Sequence, residues 1–325
     1  MAAAFMRRAP LPTCRSLVQM KTVSNNYTDP LLCRQSNGTS TRNIGRHWEP
    51  TVRKCVVKVR VGVRGALLAQ TLTAALLIAG CGNTVQVDPY PGRMIATYGD
   101  ATTPEAIRGR ELLANAHVLE ELAGDINSSL KLPGDIGLVG EQCGQVNATW
   151  NSTDRRIKIC YELVDLSLRI FGDDAVPNSV AEATNSTIGV FFHELAHALI
   201  SIYDLPFTGR EEDVADQLAA FVILEPDGVL KDFPNPSIVA EDYALMFKLW
   251  AEQRGAVGLS DFANAHSVNE ARMFNLKCWI YGSDPAAHAD MIADGRLPED
   301  RATGCQEEFD QLSRAWSKLL APYLK

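Results

Sequence analysis

His193-Glu194-Leu195-Ala196-His197, followed after 14 residues by Glu212-Asp213-Val214-Ala215-Asp216, is the stretch on which the reading of this 325-residue chain turns. The first run is H-E-x-x-H. On an α-helix, residues four apart share a face, so His193 and His197 can present both imidazoles to one metal ion. Glu194 points about 100° away, where it can reach a metal-bound water rather than the metal. A catalytic zinc takes three protein ligands and leaves a fourth position for water, and Glu212 is the expected third. Asp216, one turn further, is placed to hydrogen-bond a ligand histidine from behind. Phe191, Leu195, Ala198 and Ile202 recur at helical spacing, and a polar H-E-x-x-H within so apolar a helix needs a partner such as a metal.

Outward from the motif, the charge is sharply divided. Residues 1–65 carry 12 Lys and Arg against Asp29 and Glu49, and residues 66–325 carry 19 against 37 acidic side chains. So acidic a body argues against nucleic-acid binding. The basic stretch 1–60 reads as a leader outside the folded protein. Ala66–Gly80 is an uncharged run of 15 residues after Arg60 and Arg64, too short to span a membrane and matched to a signal-peptide core. It ends Leu77-Ile-Ala-Gly-Cys81, which resembles the bacterial lipobox. Residues 61–81 are therefore expected to be a lipoprotein-type signal, with translation starting near Val61 or Val63 and a lipid placed on Cys81. The protein is then exported and membrane-anchored, facing periplasm or cell exterior, with plain secretion as the alternative.

Four cysteines remain in the exported part: Cys143, Cys160, Cys278 and Cys305. An even number suggests two disulfides. Three pairings are possible; the hairpin read between the first two favours Cys143–Cys160, leaving Cys278–Cys305. Residues 82–103 read as a tether with an entry strand, and 104–325 as one domain. Thr103-Pro104-Glu105 is a helix start, and a helical stripe runs from Leu112 to Ile126. Strand-like runs follow at Ile136–Val139, Val146–Trp150 and Arg156–Tyr161, and the chain is mostly helical after Leu163. A small antiparallel sheet followed by helices gives an α+β fold.

At His193–Asp216 the chain resembles a gluzincin, the zincin group whose third ligand is a glutamate on a second helix. Asn147-Ala148-Thr149-Trp150 is similar to the edge strand of thermolysin-like peptidases that pairs with extended substrate, which implies substrate contact at Asn147 and Ala148. His266-Ser-Val-Asn-Glu-Ala-Arg272 resembles a motif of CAAX-protease and HtpX-like peptidases, which implies catalytic roles for His266 and Arg272. In order, C-G-x-x-N-A, I-x-x-C-Y-E, H-E-x-x-H, R-M-F-N-L-x-C-W and Y-G-S-D-P look most like the bacterial metallopeptidase family called domain of unknown function 4344.

The resemblance implies a zincin-like fold, a Zn2+ cofactor, and peptide hydrolysis with Glu194 as general base. The 14-residue spacing is shorter than in most thermolysin-like enzymes and leaves Glu211 or Asp213 open as third ligand. His266 is either an oxyanion donor or a surface histidine before a helix. Arg272 either meets substrate or bridges the acidic helices. Tyr281 either stabilises an oxyanion or packs beside Cys278. The competing reading is a catalytically inactive zinc-binding envelope lipoprotein that acts as scaffold or adaptor. Glu194 argues against it, because a scaffold needs no base there.

Overall fold

The computed structural model describes residues 88–173, 179–225 and 235–325, all within one compact unit, Gly80–Lys325. The leader, the signal and Cys81 lie outside the described residues.

Strand β1 (Met94–Tyr98) leads through helices α1 (Pro104–Asn115) and α2 (Val118–Ser129) to β2 (Ile136–Glu141). Strands β3 (Ala148–Asn151) and β4 (Arg156–Cys160) follow, and β4 passes directly into α3 (Tyr161–Asp173). Helices α4 (Ser179–Tyr203), α5 (Glu211–Leu224), α6 (Pro236–Arg254) and α7 (Asn269–Ser283) carry the second half. Two short helices, α8 (Asp290–Ala293) and α9 (Glu299–Ala302), lead to α10 (Cys305–Leu320). The α+β class is as expected, and the entry strand is β1.

The sheet differs from the expected antiparallel one. Its order is β1-β2-β4-β3; β1, β2 and β4 run parallel, and only β3 is antiparallel, to β4. Met94 pairs with Ile136 across the α1–α2 crossover, and a crossover that returns the chain in the same direction is what a parallel pair requires. After β2 the chain skips one position, forms β3 at the outer edge, and turns back so that β4 fills the gap. Asn151 closes that turn, its side chain accepting from the Thr153 and Asp154 amides.

The helical stripe from Leu112 to Ile126 is two helices rather than one. Thr103 caps the first through its side chain, and the chain breaks at His117, which adopts a left-handed backbone (φ 52°). Helix α4 is buried on almost every side from Ser186 to Ala196, not along one stripe, because α3, α5, α6 and strand β3 all pack around it. The two disulfides close as expected. Cys143–Cys160 ties the loop before β3 to the end of β4, and Cys278–Cys305 ties α7 to α10. With a sequence separation of 17, the first constrains the unfolded chain by about 3 kcal/mol. No helix of the described residues is long and apolar enough to cross a membrane.

Candidate metal centre

His193 and His197 project from the buried middle of α4 and meet the first turn of α5. His193 Nδ1 lies 2.8 Å from Asp216 Oδ1, and His197 Nδ1 lies 2.8 Å from Glu211 Oε1. Each carboxylate favours a proton on the Nδ1 it faces, which leaves Nε2 with its lone pair. The two Nε2 atoms are 3.3 Å apart, and Glu212 Oε2 lies 3.1 Å from that of His193 and 3.3 Å from that of His197. Ligand atoms of all three side chains fall within 4.8 Å of one another. Two imidazole lone pairs and a carboxylate converging on one point form an acceptor-only set, which fits a cation. His193, His197 and Glu212 could therefore hold one metal ion.

The carboxylates are sorted by their partners. Of the three left open as third ligand, Glu211 is engaged with His197, and Asp213 accepts from Arg210 and from Ser267 Oγ at 2.7 Å. Glu212 alone among these three meets both Nε2 atoms. Burial would raise its pKa, but hydrogen bonds from His193, His197 and His266 hold it far below the usual carboxylate range. Burial works against the charge on His193, yet Asp216 and Glu212 outweigh it and lift its pKa to about 9.

Asp216 is fixed from three directions. Arg272 donates to it through Nε at 2.7 Å and Nη2 at 2.6 Å, and Tyr243 OH lies 3.3 Å away. Arg272 also sits 4.0 Å over the Phe247 ring. Despite complete burial, Asp216 stays well below the ordinary carboxylate pKa because of the Arg272 charge. An aspartate kept anionic in an apolar setting is suited to hold an imidazole at one angle.

His193, His197, Glu212, Tyr243 and Arg272 line a cleft of about 1010 Å³ that runs between β3 and the α6–α7 connection. A family profile matches residues 98–320 of the chain, described as a putative metallopeptidase, the domain of unknown function 4344. The chain belongs to that family. No curated protein and no solved structure gives a significant match.

In this metallopeptidase-family chain, Glu194 reaches the cleft from α4 while remaining largely buried. Burial raises its pKa; the His193 and His197 charges and a hydrogen bond with the Trp150 backbone pull the other way. Asn147 and Ala148 line the same cleft at the start of β3, whose far side has no strand partner among the described residues. His266 arrives on the loop before α7, with Nε2 2.8 Å from Glu212 Oε2 and its ring stacked 5.8 Å from that of His193.

Two expected catalytic residues are placed otherwise. Arg272 borders the cleft, but its Nε and Nη2 donors are spent on Asp216 rather than left for substrate, because an anion buried beside it is the stronger partner. Tyr281 is not among the cleft residues and packs against the core from α7. The tyrosine brought to the centre is Tyr243, which the sequence reading passed over, as it passed over the pairing of Glu211 with His197. A tyrosine on a buried helix stripe gives no signal that separates it from core packing; Glu211 read only as an acidic helix start.

Proposed function

We propose that the protein is a zinc peptidase in which Glu194 is the general base. The observation that carries this reading is the convergence of His193 Nε2, His197 Nε2 and Glu212 beside Glu194, in a cleft walled by an open strand edge. A zinc ion held by those three side chains would polarise the scissile carbonyl and acidify a bound water.

The chain's own groups then divide the work. The free edge of β3 at Ala148 offers backbone N–H and C=O groups to an extended peptide, with Asn147 just before it. Glu194 takes the proton of the attacking water and passes it to the leaving amine. His266 would donate to the carbonyl oxygen as negative charge develops there, its Nε2 turning to it from the Glu212 oxygen that a zinc ion would then hold. Arg272 acts at one remove, holding Asp216 and through it His193, so it is a positioning residue.

The test is the zinc content of the purified full chain, measured together with cleavage of a peptide library. About one zinc per chain and metal-dependent cleavage are expected. One bound zinc with no cleavage of any peptide would leave the scaffold reading in its place.

The lipobox-like Leu77–Cys81 supports an exported protein anchored through lipid at Cys81, since two acyl chains suffice for stable attachment. Cys81→Ser is expected to abolish palmitate labelling and release the protein from membranes. A wild-type protein that is unlabelled and soluble would leave secretion.

A further inference from the structure

We infer that the substrates are extended segments rich in bulky apolar side chains, bound by an apolar rim outside the cleft as well as by the cleft itself. This rests on the peptidase reading and narrows it to a substrate class.

The cleft lining includes apolar side chains: Leu166 from α3, and Met246, Phe247 and Trp250 from α6. At its mouth lies the turn between α6 and α7, a short 3-10 helix spanning Leu259–Ala263. Leu259 is 89% exposed and Phe262 65% exposed, the two most exposed large apolar side chains among the described residues. In a 3-10 helix side chains three apart share a face, so the two lie side by side, and apolar surface that adjoins a site can serve as a binding surface.

The turn does not owe its shape to burying those side chains. Polar contacts close it: the Gly258 amide donates to Asp261 Oδ2 at 2.7 Å, and the Asp261 amide donates to the Gly258 carbonyl at 3.1 Å. Arg254 approaches the same Asp261 carboxylate. Leu259 and Phe262 are thus presented to solvent by a scaffold that would form without them.

The rim is continuous with the site. Asp261 and Asn264 of this turn line the cleft, and four residues after Phe262 the same loop sets His266 against Glu212. A peptide lying along β3 and leaving the cleft on this side passes the apolar pair. Each large apolar side chain removed from water there contributes to affinity whether or not a metal is bound. A folded protein cannot offer such a segment; a chain with its apolar residues exposed can.

The experiment measures binding of two fluorescent peptides of equal length to the full chain carrying Glu194→Gln. One peptide is rich in Leu and Phe, and in the other these are replaced by Ser and Gly. Both metal-free and zinc-loaded protein are used. The apolar peptide is expected to bind at least tenfold more tightly, and Leu259→Ser with Phe262→Ser to cut that preference about tenfold. Val180→Ser, equally a loss of an exposed apolar side chain but 13 residues and roughly 20 Å up α4 from His193, is the control and should leave it intact.

No preference for the apolar peptide overturns the inference. So does an unchanged preference in the rim variant, including the case where that variant instead loses binding to phospholipid vesicles, which would assign the turn to a membrane. Absence of cleavage by wild-type protein of a peptide it demonstrably binds counts against the peptidase reading alone.

Discussion

Glu194 and Glu211 are both glutamates beside a candidate metal-ligand histidine, yet their surroundings differ. Glu194 is largely buried with a raised pKa, whereas Glu211 is half exposed and engages His197 Nδ1. Glu194→Gln should retain zinc and fold while losing activity by several orders of magnitude, because an amide cannot take a proton from water. Glu211→Gln should remain active but bind zinc roughly 10-fold to 100-fold more weakly, since only the orientation of His197 is loosened. Metal titration against a competing chelator, with a peptide assay in parallel, separates the two. Near wild-type turnover in Glu194→Gln would end the proposed mechanism.

The same scale shows what could be read from sequence. His193, His197 and Glu194 were legible because their roles follow from spacing on one helix. Glu212 was legible as a ligand type, but its choice over Glu211 and Asp213 depended on where α5 meets α4. Tyr243 and Trp250 were not legible, because position on a buried stripe says nothing about which cavity the stripe borders.

Among the elements, α4 and α6 pack so closely that a Cβ on Gly189 would lie 2.3 Å from Cγ of Tyr243. Tyr243 is fully buried and cannot swing aside. Gly189→Ala gains about 1 kcal/mol in helix propensity, but it must displace the ring that contacts Asp216. Overpacking of this kind costs about 1–3 kcal/mol, so denaturant unfolding should find the variant less stable and zinc titration should find it a weaker binder. A variant more stable than wild type with unaltered zinc affinity would mean that the two helices separate freely.

The sheet was the element misread. Its three strand-like runs were correctly located, but their hydrophobic patterns carry no information on direction. The clue was the order strand, helices, strand at 94–141, which is the order of a parallel crossover. The second half was easier, because the chain was expected to be mostly helical after Leu163 and it is.

For the whole molecule, acidity has a price in stability at Asp242, where α6 meets α4. Burial, aided by Glu182 and Glu241, pushes its pKa up to about 6, against a 2.7 Å hydrogen bond from Asn185. The folded value lies above the ordinary one, so the native state holds this proton more tightly. Its contribution is fully present below about pH 4 and is lost as pH rises through 6. Asp242→Asn should therefore be more stable than wild type at pH 7 to 8, by about 1 kcal/mol after solvent screening, and the gap should close below pH 4. Thermal unfolding across that range tests it; a gap that widens toward acid would reverse the assignment.

The clamp on Asp216 also has a meaning in time. Along the chain, His193, His197 and Glu212 come first, and Arg272 follows Asp216 only 56 residues later, with Cys278 and Cys305 beyond it. A chain emerging amino terminus first thus possesses its three candidate ligands well before the arginine that steadies His193 through Asp216 and before the loop that delivers His266. The order of synthesis builds in a delay: the candidate site is completed only when most of the molecule that carries it already exists.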